Sequence, residues 1–236
     1  THNWYVTETS SVNRQLPALD PGVTYLDTDA PSALYRVVAH HLDEHRGPGY
    51  WVDAHSRAAP VTLYDALSRN GRRSLRVARA FTGYQHHELV RSLPGRVRHD
   101  TSLVVAPAVG ALYADDDVPE YEADELCAAT LELLDAVATA VDVPVLVTAS
   151  ADPYAAEVRT TADHTLDATA TDAGLRFEGA GFRTDVYVDR WGFQTTIPYW
   201  VDLLGVAPDS VNDPAVDTVR TTGAPDAAPT LGEVLG

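Results

Sequence analysis

Val23 to Gly47, VTYLDTDAPSALYRVVAHHLDEHRG, constrains the fold more than any other stretch of this chain. Val23, Tyr25 and Leu26 favour an extended backbone. Asp27-Thr-Asp-Ala-Pro-Ser then reads as a tight loop. In it Asp29 suits a helix N-cap, and Pro31 suits the first helical position, where a missing N–H costs nothing. Leu34, Val37, Val38, His41 and Leu42 recur at helical spacing until Gly47 ends the run. A junction of this kind is where an α/β protein places a phosphate-cradling loop. The glycines and the lysine that such a loop needs are absent here.

The rest of the chain repeats the unit. Tyr50-Trp51-Val52, ended by Asp53, predicts a second strand, and Pro60 opens a helix with Leu63, Tyr64 and Leu67 on one face, stopped at Asn70-Gly71. Leu75 to Phe81 predicts a third strand, followed by a helix from Tyr84 with Leu89, Val90 and Leu93 inward. Ser102–Ala108 and Val143–Thr148 are apolar on both faces, as buried parallel strands are. Between them lies a long helix, Tyr121 to Val141, with Leu126, Leu133, Leu134, Val137 and Val141 at helical spacing. From His164 the period changes to two, in 164–168, 174–178, 184–189 and 193–200, which predicts antiparallel strands. The expected architecture is an α/β doubly wound, mostly parallel sheet with a C-terminal antiparallel extension. Its expected divisions are an N-terminal arm (1–22), a core domain (23–205) and a disordered acidic tail (206–236), in which Thr230–Leu235 reads as a short docking motif.

Charge narrows the class. Asp and Glu number 34 against 17 basic residues, all of them Arg, giving a formal net charge of −17. This composition resembles cytosolic proteins of salt-in halophiles, whose acidic surfaces maintain solubility. Cys127 stands alone and beside an apolar stripe, so it predicts a packed thiol in a reducing compartment and no disulfide framework. No apolar run has the length of a membrane span, so the expectation is a cytoplasmic protein with no membrane partner.

Three stretches carry a family resemblance. VARAFTGYQHHEL (Val77–Leu89), LVVAPAVGALY (Leu103–Tyr113) and VPVLVTASA (Val143–Ala151) resemble, in order and spacing, the third, fourth and fifth strand regions of the RecA superfamily. The likeness is greatest to the archaeal RadA-type recombinases and their paralogues, and it spans about Leu16 to Trp200. It implies a RecA-like core, and it sets the chemistry that should be present. A Walker A loop supplies backbone N–H groups, a Lys and a hydroxyl to phosphate and magnesium. The matching run here places Ala33 at the Lys position and Leu34 at the Ser/Thr position, with Asp27 and Asp29 in the loop. The resemblance places the Walker B Asp on Pro107, the water-polarising acid near His55 and the sensor amide on Ser150. The expected nucleotide site is therefore degenerate, with no catalytic residue and no cofactor. The loops that contact DNA in this family also differ: 114–124 is acidic, and the loop after the fifth strand has Arg159 as its base. The family's aromatic filament motif is not visible before Leu16.

One positive signal remains. Arg69, Arg72, Arg73, Arg76, Arg79, Arg91, Arg96 and Arg98 lie between positions 69 and 98, with Glu88 the one acid among them. They read as a contact face for nucleic acid or an acidic partner, against the plainer reading of pairing with the surplus Asp, which is favoured. His40, His41 and His45, with Asp43, Glu44 and His55, form a weak metal candidate in which His41 and His45 have i,i+4 spacing. His86-His87-Glu88 reads as helix surface. The function expected is that of a RecA-fold pseudo-ATPase, an accessory or regulatory protein of DNA recombination or repair. It would act by protein contacts, with a RadA-type recombinase or a homo-oligomer as partner and weak nucleic-acid binding. The rivals are a small metal-dependent enzyme on the histidine cluster and a RecA/KaiC-type signalling paralogue.

Overall fold

The computed structural model describes residues 16–54, 60–149, 153–189 and 192–195. Most of the arm (1–15), the tail (206–236) with its docking motif, His55 and Ser150 lie outside the described residues. The described chain runs β1 (Gly22–Thr28), α1 (Pro31–Glu44), β2 (Gly49–Ala54), α2 (Pro60–Ala66), α3 (Arg69–Ser74), β3 (Leu75–Ala80), α4 (Gly83–Arg91), β4 (Leu103–Ala106), α5 (Glu120–Val141), β5 (Pro144–Val147), α6 (Ala155–Thr161), β6 (His164–Thr171), β7 (Gly174–Gly179), β8 (Phe182–Asp189) and β9 (Gly192–Thr195). Short 3-10 turns stand at Leu93–Gly95 and Ala111–Ala114.

These strands form one sheet in the order β3-β2-β4-β5-β1-β6-β7-β8-β9. Pairing is parallel from β3 through β6 and antiparallel from β6 to β9. The doubly wound sheet with an antiparallel extension is thus the one expected. Every residue of β4 and β5 is buried, which is why these strands carry no alternation and sit in the middle. A pair of hydrogen bonds between Val23 and Asp163 fixes where β6 joins β1: Val23 N–H donates to the Asp163 carboxylate at 2.8 Å and Asp163 N–H to the Val23 carbonyl at 2.9 Å.

Helices cover both faces. On one, α1, α2 and the turn after α2 bury Leu34, Val37, Val38, Leu63 and Leu67 against Trp51, Val105 and Leu146. On the other, α4 and α5 bury Val90, Cys127, Leu131 and Leu134 against Val52, Val104 and Val145. Cys127 is fully buried as a packed thiol. Two glycines are geometrically required. A Cβ on Gly47, at φ +133°, would overlap the Asp100 carbonyl, and one on Gly83 would meet Val118 Cγ2 at 2.7 Å. Among the described residues no helix is long and apolar enough to cross a membrane.

The sequence expectations need local correction. Helix α1 starts at Pro31 as expected, but its N-cap is Ala30, which makes no side-chain cap; Asp29 is outside the helix and exposed. Asn70-Gly71 does not stop a helix: Ser68 accepts from Gly71 N–H at 3.1 Å and caps a further one, α3. Tyr64 is exposed, not inward. Helix α5 buries Ala123, Cys127, Thr130, Leu131, Leu134 and Val137, with Leu126, Leu133 and Val141 only partly covered.

Candidate functional site

In an open α/β sheet, ligands sit beyond the carboxyl ends of the strands where the winding reverses. Here that place is the end of β1, between β5 and β6. Strand β1 ends at Thr28 and α1 begins at Pro31, so Asp29 and Ala30 are the whole connection. The turn is closed locally: Ala30 N–H donates to Thr28 Oγ1 at 3.0 Å, and Ala33 N–H to the Ala30 carbonyl at 2.9 Å. Ala33 and Leu34 do not face the turn's cavity; both are buried in the core under α1.

Beside this turn lies a cavity of about 410 Å3, lined by Asp27 and Thr28 of β1, Asp29 and Ala30 of the turn, and Asp167 to Ala170 of β6. Asp27, Asp29 and Asp167 make it acidic. Arg159, on α6, pairs with Asp27 and lies 4.0 Å from Asp167, its guanidinium 5.3 Å over the Tyr25 ring. Arg159, read from the sequence as the base of the loop after the fifth strand, lies on a helix and is engaged with the protein's own carboxylates.

The ends of β4 and β5 are stitched to each other. Pro107 is buried in the turn after β4. Ala108 follows in the left-handed region at φ +49°, a conformation costly for a side chain with a Cβ. It is held there by two contacts: Ala108 N–H donates to Thr148 Oγ1 and Val109 N–H to the Thr148 carbonyl, each at 2.9 Å. After this turn, residues 115–125 present Asp116, Asp117, Glu120, Asp124 and Glu125 to solvent.

The histidine cluster on α1 is not a converging ligand set. His41 is buried and its Nε2 lies 2.8 Å from the Ser102 carbonyl, so that nitrogen donates. Burial brings its pKa down to about 4, with the Ser102 contact opposing and His45 and His40 adding to the fall. His45 stacks on it at 4.0 Å with planes 13° apart, and its Nδ1 donates to the His41 carbonyl at 3.0 Å. Near-parallel rings direct their in-plane lone pairs along parallel lines, which do not meet at one ion. His40 approaches Glu44 at 3.5 Å. Among the described residues no group of three or more His, Cys, Asp or Glu converges on a common point.

His86 corrects the surface reading of its segment. It is fully buried, with Nδ1 2.8 Å from the Tyr113 hydroxyl. That hydroxyl lies 2.7 Å from Thr130 Oγ1, which His87 Nδ1 also reaches at 3.0 Å. His86 Nε2 is buried without a hydrogen-bond partner among the described residues. Burial, then the neighbouring His87, bring its pKa down to about 4, and burial raises that of Tyr113. This polar chain joins α4 to α5, and nothing in the local sequence of His86 announces it.

The arginines divide. Arg79 Nε donates to Asp53, which is fully buried, at 3.0 Å, and Arg91 pairs with Glu88 at 2.8 Å. Arg69, Arg72, Arg73, Arg76, Arg96 and Arg98 are exposed and form no ion pair among the described residues. Arg76 instead donates to the Tyr50 hydroxyl at 3.2 Å, and Arg72 to two backbone carbonyls. Pairing with the Asp surplus therefore describes Arg79 and Arg91 and not the rest.

No protein-family model matches the chain, and no curated protein does. Among solved structures, the RadB recombinase superposes with a TM-score of 0.57 at 12% identity, covering 74% of this chain and 90% of that one. The likeness is one of fold: the sheet and its helices are RecA-like.

Proposed function

We propose that this chain is a RecA-fold protein without ATP turnover, serving recombination or repair as an accessory through protein contacts. The observation that carries the reading is the two-residue junction between β1 and α1. A phosphate-binding loop wraps successive N–H groups around its ligand. A connection of Asp29 and Ala30 has no such run, and the first helical turn puts Ala33 and Leu34 into the core where a lysine and a hydroxyl would be needed. Pro107 supplies no carboxylate for a metal. Asp27 and Asp29 add repulsion toward a triphosphate. The place in recombination rests on the RadB recombinase's likeness in fold and on the resemblance in the sequence.

The test is isothermal titration with ATP and magnesium in molar KCl, alongside phosphate release. Each missing charge-assisted contact removes roughly 1.5–3 kcal/mol. Three or four losses move a micromolar site beyond millimolar. We expect no heat of binding and no phosphate release, and the pair Ala33→Lys with Leu34→Thr restores neither. Micromolar binding, or turnover that responds to changes around Asp29 to Leu34, overturns the reading.

A further inference from the structure

We infer that the groove between α2, α3 and β3 docks an acidic, apolar peptide segment of a partner protein. The inference rests on the reading that the chain works through protein contacts, and it gives one such contact a place and a chemistry. The groove encloses about 230 Å3. Leu63, Leu67 and Leu75 line it, and Tyr64 and Val77 stand at it 56% and 49% exposed. Large apolar side chains left open at a concave site favour a peptide's apolar residues over water.

Arg72 completes the groove and is pre-set. Its Nε donates to the carbonyls of Tyr64 at 2.8 Å and Leu67 at 2.9 Å, and its guanidinium lies 4.0 Å over the Tyr64 ring. Neutral carbonyls orient this charge without neutralising it. In a chain with 34 acids and 17 bases, this arginine is held in place and yet forms no ion pair among the described residues. Arg69 and Arg73, exposed on the same short helix, share that condition. Arg79, the other arginine in the lining, is already paired with Asp53. The local positive charge therefore calls for carboxylates from outside, and a fork held in advance loses less freedom on receiving one.

The lining selects peptide over nucleic acid. A single strand needs open aromatic faces on which bases stack. Arg72 occupies one face of the Tyr64 ring, the one aromatic in the lining, and apart from Arg79 the rest of the lining is aliphatic.

The experiment uses the whole chain and a fluorescein-labelled twelve-residue peptide of alternating Leu and Asp, followed by anisotropy in 0.2 M and 1 M KCl. A dT oligonucleotide is the competing probe. We expect saturable peptide binding that survives 1 M KCl, because salt screens charge and not apolar burial. Val77→Asp, at an exposed position, weakens it about tenfold or more. Arg72→Glu transfers the preference to a Leu-Lys peptide. Arg91→Glu, outside the groove, leaves affinity within about twofold. Absence of peptide binding, insensitivity to Val77→Asp and Arg72→Glu, or an oligonucleotide bound more tightly than the peptide each overturns the inference. Titrating ATP into the same preparation separates the two readings. A micromolar ATP site removes the non-catalytic reading and leaves the groove standing, whereas peptide failure with ATP silent removes the groove alone.

Discussion

The two helical layers of this protein handle polar groups in opposite ways. Under α4 and α5, His86, Tyr113, Thr130 and His87 bind one another in a buried chain, and Tyr84 donates to Glu122 at its edge. Beside α2 and α3, Arg72 is oriented by backbone carbonyls, and Arg69 and Arg73 meet no carboxylate among the described residues. Apart from His86 Nε2, the first layer pairs these polar groups with one another, so they report on stability. The second leaves charge facing outward in a protein with acid to spare, the condition on which the proposed peptide contact rests. The crevice at β1 resembles the first layer: its one base, Arg159, is held by Asp27. Where the fold would ordinarily take a ligand, the one base is already engaged by the protein's own carboxylates.

Acid tests the internal layers most severely. In an unfolded chain histidine titrates near 6.5. In the folded chain His41, beneath α1, and His86, beneath α4, titrate at about 4 because burial disfavours the cation. Between those values the unfolded chain binds more protons, so stability rises with pH and is lost as pH falls from 6.5 toward 4. Each histidine is worth roughly 3 kcal/mol over that window. Thermal unfolding in molar KCl, which screens the acidic surface, should show a steep loss, and His86→Gln should remove about half of the pH dependence. A flat profile between pH 6.5 and 4.5 would mean that neither ring is held neutral.

The arginines provide the next largest contrast. Arg79→Ala removes the 3.0 Å hydrogen bond from a guanidinium to the fully buried Asp53, and losing one charge-assisted bond of this kind costs about 1.5–3 kcal/mol. Arg72→Ala removes an exposed side chain that forms no ion pair among the described residues, and should cost under about 1 kcal/mol. Urea unfolding of the two variants measures the difference. Equal losses would show that Arg72 is a structural group and the margin no more open than the interior.

Much of the fold was legible because its signals are local. The unbroken apolar runs of β4 and β5, the Pro31 start of α1 and the period-two segments after His164 each declare themselves within a few residues. Helix α6 did not: it is seven residues long with Val158 its one buried side chain, so it has no stripe to read. Helix α5 was read on its leucines, but small residues and Thr130 occupy part of the buried face, which rotates it. At the candidate site, the residues of the β1–α1 junction were named from the sequence, but its two-residue length was not, since that depends on where strand and helix stop. The burial of His86 was illegible because its partner Tyr113 stands 27 positions away, and His87 meets Thr130 at 43. The pairing of Arg79 has the same cause, whereas that of Arg91 with Glu88 is three positions apart on one helix. Asp53 lies 26 positions from Arg79, and the pairing follows from strand register rather than composition.

The smallest expected effect decides whether the inner layer is a network or a set of separate bonds. Tyr113→Phe keeps the ring, which packs fully buried 5.6 Å from His86, and deletes the hydroxyl between His86 and Thr130. It leaves His86 Nδ1 without that bond while Nε2 already has none among the described residues, so the cost should be about 1–2 kcal/mol. Thr130→Val deletes the atom shared by Tyr113 and His87, at a similar cost. If the hydroxyl and Thr130 Oγ1 polarise each other along one chain, the first deletion has already weakened what the second removes. The double variant should then be more stable than the sum of the singles implies, by 0.5 kcal/mol or more on the order typical of contacting pairs. Urea midpoints for the wild type, both singles and the double close the cycle. Additivity within about 0.3 kcal/mol would reduce the layer to independent hydrogen bonds. Internal satisfaction would then no longer distinguish it from the margin of α3, and the unpaired arginines would lose the contrast that makes them informative.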